Sequence, residues 1–181
     1  MKKILGILVV AALVCAVLAP GQAQEAKKTV HFKKLQDFLP KIDLAGFTRG
    51  KPGGETSSAM GMSTSEANVT YEKSGGDESP TIEVKISDMA GVPYAQMGIQ
   101  VMGAMEFENE TANGYEKSIK VQGFSGTEKV DNSEGDKSAL ITLVVGGRFM
   151  VEVQARGTSE AALLHKLLDS MNLAELAKIT P

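Results

Sequence analysis

The chain is poor in the residues that usually advertise chemistry. Its 181 residues include a single cysteine, two histidines and no tryptophan. The cysteine, Cys15, lies inside an apolar N-terminal run, so a chain that has lost this run has no thiol. That loss excludes disulfide frameworks, thiol redox chemistry, cysteine nucleophiles and thiolate metal sites together. A Gly-x-Ser-x-Gly nucleophile elbow is also missing, because Gly123-Phe124-Ser125-Gly126 does not have its spacing. The carboxylates of Asp77-Glu78, Glu106 to Glu110 and Asp131 to Asp136 lack the ordered ligand spacing of a calcium loop. Basic residues form no continuous face, which argues against a nucleic-acid partner.

The longest hydrophobic run, Ile4 to Ala19, falls short of the roughly 20 residues that span a bilayer. It follows Met1-Lys2-Lys3 and precedes Gly21-Gln22-Ala23, the order of a basic n-region, an apolar h-region and a small-x-small cleavage site. Residues 1–23 are therefore expected to be a signal peptide cleaved after Ala23, with membrane contact only through that segment. A lipoprotein is disfavoured, since bulky Val14 precedes Cys15 in mid-run. The expected location is periplasmic or secreted. Losing Lys2 and Lys3 takes the net charge from −3 to −5, and what remains is the size of one domain, able to bury about two thirds of its unfolded surface.

Residues 24–30 read as a flexible lead-in and 31–181 as a single globular domain. Val30 to Leu39 has Phe32, Leu35, Phe38 and Leu39 on one helical face, and Pro40 ends it. Residues 46–65 suggest an irregular edge hairpin, followed by alternating strands around Ala67, Val69, Tyr71 and around Ile82, Val84, Ile86. Pro93 to Phe107 predicts a helix apolar on nearly all sides and hence buried. A strand begins at Lys117 to Val121, a bend follows at 123–126, and Ala139 to Val145 and Arg148 to Ala155 flank Gly146-Gly147, a two-residue primed turn. A Ser/Thr-capped last helix carries Leu164, Leu167, Leu168 and Met171 inward and turns His165, Lys166, Asp169 and Asn172 to water. The pattern is α+β, order α-βββ-α-βββ-α, with a mainly antiparallel sheet and helices packed on it.

From Gly123 to Leu173, the Gly-Phe bend, charged loop, apolar strand, Gly-Gly-Arg-Phe hairpin and Leu-rich helix are similar to the C-terminal half of PsbP-like exported domains, and to lipoproteins of the LpqN type. The resemblance implies an auxiliary or binding protein without catalytic residues.

Three candidate features remain. His165 and Asp169, at i and i+4, predict a surface polar pair. Met60 and Met62, with Met97, Met102 and Met105 on the central helix, are candidate thioether ligands for copper(I), although methionine also fills irregular cores. Pairing Val145 with Arg148 places Leu140, Thr142, Val144, Phe149, Val151 and Val153 on one face. Ile141, Leu143, Val145 and Met150 then share the other, beside Arg148 and Glu152. That second face is too apolar to be solvated: either the 93–107 or the N-terminal helix covers it in a three-layer sandwich, or part of it stays open as an interaction face. The functional expectation is an exported, non-catalytic binding or accessory protein of the cell envelope, without a cofactor, that recognises an envelope protein or small ligand as a monomer or weak dimer. The alternative is a small hydrolase or a methionine-based copper-handling protein.

Overall fold

The computed structural model describes residues 28–75, 79–92, 98, 101, 104 and 106–181; the expected signal peptide and residues 24–27 lie outside them. Helix α1 (Phe32–Gln36) is a single turn and a half, in which Leu35 is buried and the His31 ring accepts a hydrogen bond from the Lys33 amide at its N-terminus. Among the described residues nine strands follow in two blocks. The first is β1 (Phe47–Arg49), β2 (Gly53–Ala59), β3 (Met62–Lys73) and β4 (Thr81–Asp88). The second is β5 (Glu108–Thr111), β6 (Gly114–Val121), β7 (Phe124–Asp131), β8 (Ser138–Val145) and β9 (Phe149–Arg156). Helices α2 (Ala161–Asp169) and α3 (Leu173–Leu176) close the chain.

The strands form one antiparallel sheet in the order β1-β3-β4-β9-β8-β7-β6-β5, and β2 pairs with β3 on the edge that β1 also uses. Alternation puts Ala67, Val69 and Tyr71 of β3, Ile82, Val84 and Ile86 of β4, Ile141, Leu143 and Val145 of β8, and Phe149, Val151 and Val153 of β9 on one buried face. Leu35 of α1 and Leu164, Leu167, Leu168, Leu173 and Leu176 of α2 and α3 join the same core cluster. Each such side chain contributes about 1.5–3 kcal/mol by leaving water. The N-terminal and C-terminal helices thus cover the same side of the sheet. The α+β class and the antiparallel sheet agree with the sequence pattern, while the strand blocks hold four and five strands instead of three and three.

Two departures follow from local chemistry. Of the helix expected at 93–107, Gly98, Val101 and Ala104 are helical, Glu106 and Phe107 are not, and the other positions lie outside the described residues. Val101 is 54% exposed and its neighbours Gly98 and Ala104 are also exposed, so this helix turns one apolar stripe outward and is not buried on all sides. Phe124, Ser125 and Gly126, expected as a bend, belong to β7, and the reversal is confined to Gln122-Gly123. Gln122 sits there in the left-handed region (φ 50), which disfavours a side chain. Its side-chain amide offsets that by donating to the Leu168 and Met171 carbonyls, at 2.9 and 3.0 Å, which ties the turn to the C-terminal end of α2.

The β8–β9 connection corrects the register. Gly146 and Gly147 both have positive φ (60 and 62), and the Arg148 amide donates to the Val145 carbonyl, so the primed turn forms as expected. The ladder nevertheless resumes with Val145 opposite Phe149, which leaves Arg148 as an extra, bulged residue. Because the side-chain period of a strand is two, this one residue moves all of β9 to the other face. Phe149, Val151 and Val153 therefore share a face with Ile141, Leu143 and Val145, not with Leu140, Thr142 and Val144.

Candidate functional site

What draws Arg148 out of register is Asp88. This carboxylate ends β4 on the inward face, is 0% exposed, and would be prohibitively costly there alone. Arg148 grips it through two nitrogens, Nε to Oδ1 at 2.9 Å and Nη2 to Oδ2 at 2.7 Å, and the Val30 and Ala90 amides donate to the same oxygens. Arg148 Nη2 also donates to the Lys28 carbonyl. Lys28 and Val30, expected within a flexible lead-in, are thus held against the sheet, with Val30 in the core. All of this wiring is structural: the pair is closed on itself.

A second inward carboxylate, Glu128 of β7, stands between Gly126 and Val130 in the alternation. Its Oε1 accepts from the Tyr115 hydroxyl at 2.7 Å and lies 3.5 Å from Lys117 Nζ, both supplied by β6, while Oε2 is hydrogen-bonded to His165 Nε2 of α2. Lys117 Nζ also sits 4.7 Å from the Tyr115 ring centre. His165 therefore pairs across the fold with Glu128 instead of along its own helix with Asp169. Burial alone would raise the Glu128 pKa, but the hydrogen bonds from Tyr115 and His165 and the charges of His165 and Lys117 outweigh it and hold the carboxyl below its ordinary range. Burial, together with donation to a carboxylate, pushes the Tyr115 phenol up to about 12.

The signs give a test. A depressed carboxyl stabilises the fold above its unfolded pKa, and the contribution disappears as pH falls through the folded value. Glu128→Gln should accordingly cost about 1–3 kcal/mol at pH 7, with the deficit against wild type shrinking between pH 5 and pH 3 in urea titrations. A constant deficit would place the effect in packing. The raised Tyr115 contributes below its ordinary value near 10 and loses that contribution as pH climbs toward 12.

A groove opens beside the part of the β6 edge that no described strand pairs. Strand β5 pairs with β6 only as far as Glu108 opposite Lys117, and Phe107 is tied to Ser118 by its amide on Oγ at 2.9 Å. Beyond that point Ile119 and Lys120 of β6, Ser125 and Gly126 of β7, and Ala104, Glu106, Phe107 and Glu108 line a cavity of about 550 Å³. Gly126 is required here, since a Cβ would fall 2.0 Å from the Thr142 carbonyl oxygen, and its bare backbone leaves the floor of the groove open.

Of the two alternatives for the candidate interaction face, coverage by helices is the one found for three of its four residues. Ile141, Leu143 and Val145 are fully buried under the helices, and Met150 lies on the opposite side of the sheet with Leu140, Thr142 and Val144, of which Thr142 is itself buried. Met60 lies in the β2–β3 reversal and Met62 opens β3 just after it, whereas Met97, Met102 and Met105 lie outside the described residues. The described residues hold no group of three or more His, Cys, Asp or Glu placed to bind a metal, and no helix among them is long and apolar enough to cross a membrane. The loop carboxylate Asp131 serves its own turn, accepting from the Ser133 amide at 2.8 Å.

No family model matches this chain, and no curated protein or solved structure is significantly similar to it. Function must therefore be argued from the residues. The Glu128 cluster escapes a sequence reading because Glu128 lies 13 residues from Tyr115 and 37 from His165; the one available signal is a glutamate in an otherwise inward-facing position.

Proposed function

We propose that this is an exported, non-catalytic binding or accessory protein of the cell envelope, periplasmic or secreted after loss of residues 1–23, and that its small ligand occupies the groove at the free edge of β6. The groove is the observation that carries the reading. Its volume of about 550 Å³ suits a small molecule. Phe107 and Ile119 offer apolar contact, while Lys120 on one side and Glu106 and Glu108 on the other suit a polar ligand bearing both donors and acceptors. The saturation of Glu128 also supports it, because a carboxylate already holding a phenol, an ammonium and an imidazole anchors a helix and is not free to act as a base.

In an NMR titration of the mature chain with soluble peptidoglycan fragments, oligosaccharides and short peptides, a ligand should move the amides of Ser118 to Gly126, and Lys120→Ala should weaken it about tenfold, equivalent to about 1.4 kcal/mol. A second reading, a small hydrolase, draws on the Glu128–His165 pair, which resembles the carboxylate–imidazole half of a triad. Turnover of an ester, phosphate, peptide or glycoside substrate that vanishes in His165→Ala would install that reading in place of the first.

A further inference from the structure

Among the described residues only two non-glycine positions have positive φ, Gln122 and Met60. Gln122 is explained by the helix carbonyls it caps. Met60 has no such explanation. It occupies the first central position of the Met60-Gly61 reversal, at φ 51, where asparagine, aspartate or glycine is the residue the turn demands. Its side chain is 98% exposed, so no packing offsets the strained backbone or the exposed apolar surface. Neither folding nor the core accounts for a methionine here, and unrelieved strain of this kind is a recognised mark of a functional position.

A second thioether stands beside it. Met62, 48% exposed, closes the same turn opposite Ala59. Both methionines border a cavity of about 480 Å³ whose other walls include Thr56, Ser58, Ser63 and Lys28. The soft donors at this cavity are thus the two sulfurs. Lys28 and the last residue, Pro181, also border the cavity, and the sulfurs set the preference, since thioethers select soft monovalent ions. Unbranched side chains two residues apart on a tight turn can converge on one ion, since each has three free torsions.

We propose that the Met60-Gly61-Met62 turn is a thioether site for a soft monovalent metal ion of the copper(I) class, held at the tip of a projecting hairpin. Two sulfurs and an open side leave the ion weakly held and accessible, which suits passing it between partners better than storing it. This site is separate from the groove at β6, so either can fail without the other.

The test uses the full mature chain with 13C-methyl-labelled methionine, titrated with Ag(I) as a redox-inert probe and with Cu(I) under a competing chelator. The Met60 and Met62 methyl resonances should shift together, saturating at one ion per chain, while Ca²⁺ and Zn²⁺ leave them unmoved. Met60→Leu with Met62→Leu keeps the apolar bulk and removes the sulfur. It should fold with an unchanged melting temperature and bind Ag(I) at least tenfold more weakly, with each single variant intermediate. Unchanged Ag(I) affinity in the double variant, or shifts confined to other methionines, would overturn the proposal.

Discussion

Leu143→Asp is expected to abolish folding, while Val144→Asp one residue away leaves a folded protein. Leu143 is fully buried, and it packs on the β7 backbone so closely that a Cβ on Gly126 would lie 2.8 Å from its Cδ2. An aspartate there would place an unpaired carboxylate among Ile141, Val151 and the α2 leucines. The penalty of several kcal/mol approaches the whole stability of a domain this size. Val144 faces the other side and is only half-buried, so its aspartate variant should lose about 1 kcal/mol. Circular dichroism and urea unfolding of the two variants report which face of β8 is buried, and the opposite ranking would place Val144, not Leu143, in the core. A milder probe, Leu143→Ala, should cost about 2–5 kcal/mol.

The second large effect is expected at the Asp88–Arg148 pair. Arg148→Met preserves the stem of the side chain but strands a fully buried carboxylate on two backbone amides. Breaking a buried pair from one side typically costs 3–5 kcal/mol, far more than the net worth of the pair itself. Adding Asp88→Asn to Arg148→Met should therefore recover a good part of the loss, since a neutral amide tolerates the site better. In a double-mutant cycle by urea unfolding, simple additivity would show that the two side chains do not act as a unit. Hydrogen exchange supplies a local readout: the Val30 and Ala90 amides should lose protection in Arg148→Met before the rest of β4 does.

Much of the fold was legible where a local pattern decides it. Alternation named the inward residues of β3 and β4, and helical spacing picked out Leu164, Leu167, Leu168 and Met171, all buried. The glycine pair correctly announced a primed turn. What the pattern could not carry was the residue after it, because the reason for the bulge lies at Asp88, 60 positions upstream. One long-range salt bridge thus reversed the face assigned to β9. His165 was misplaced for the same kind of reason, its partner being chosen by the register of β7 beneath α2 and not by its own helix. The methionine turn was visible as a motif, yet its exposure and positive φ were not.

The strand order has a consequence for how the chain reaches this structure. The seam that unites the two blocks, β4 against β9, joins residues 81–88 to residues 149–156. Hairpins on either side of it can form early from neighbouring sequence, but the seam itself must close a loop of some sixty residues, and entropy makes non-local closure slow. The strand that completes the middle of the sheet, β9, also comes after the other eight described strands in chain order. Until it arrives, β4 presents an unpaired edge of alternating Ile82, Val84 and Ile86, a template for pairing with other chains. A nascent copy therefore stays incomplete and dependent on protection until β9 is available to pair.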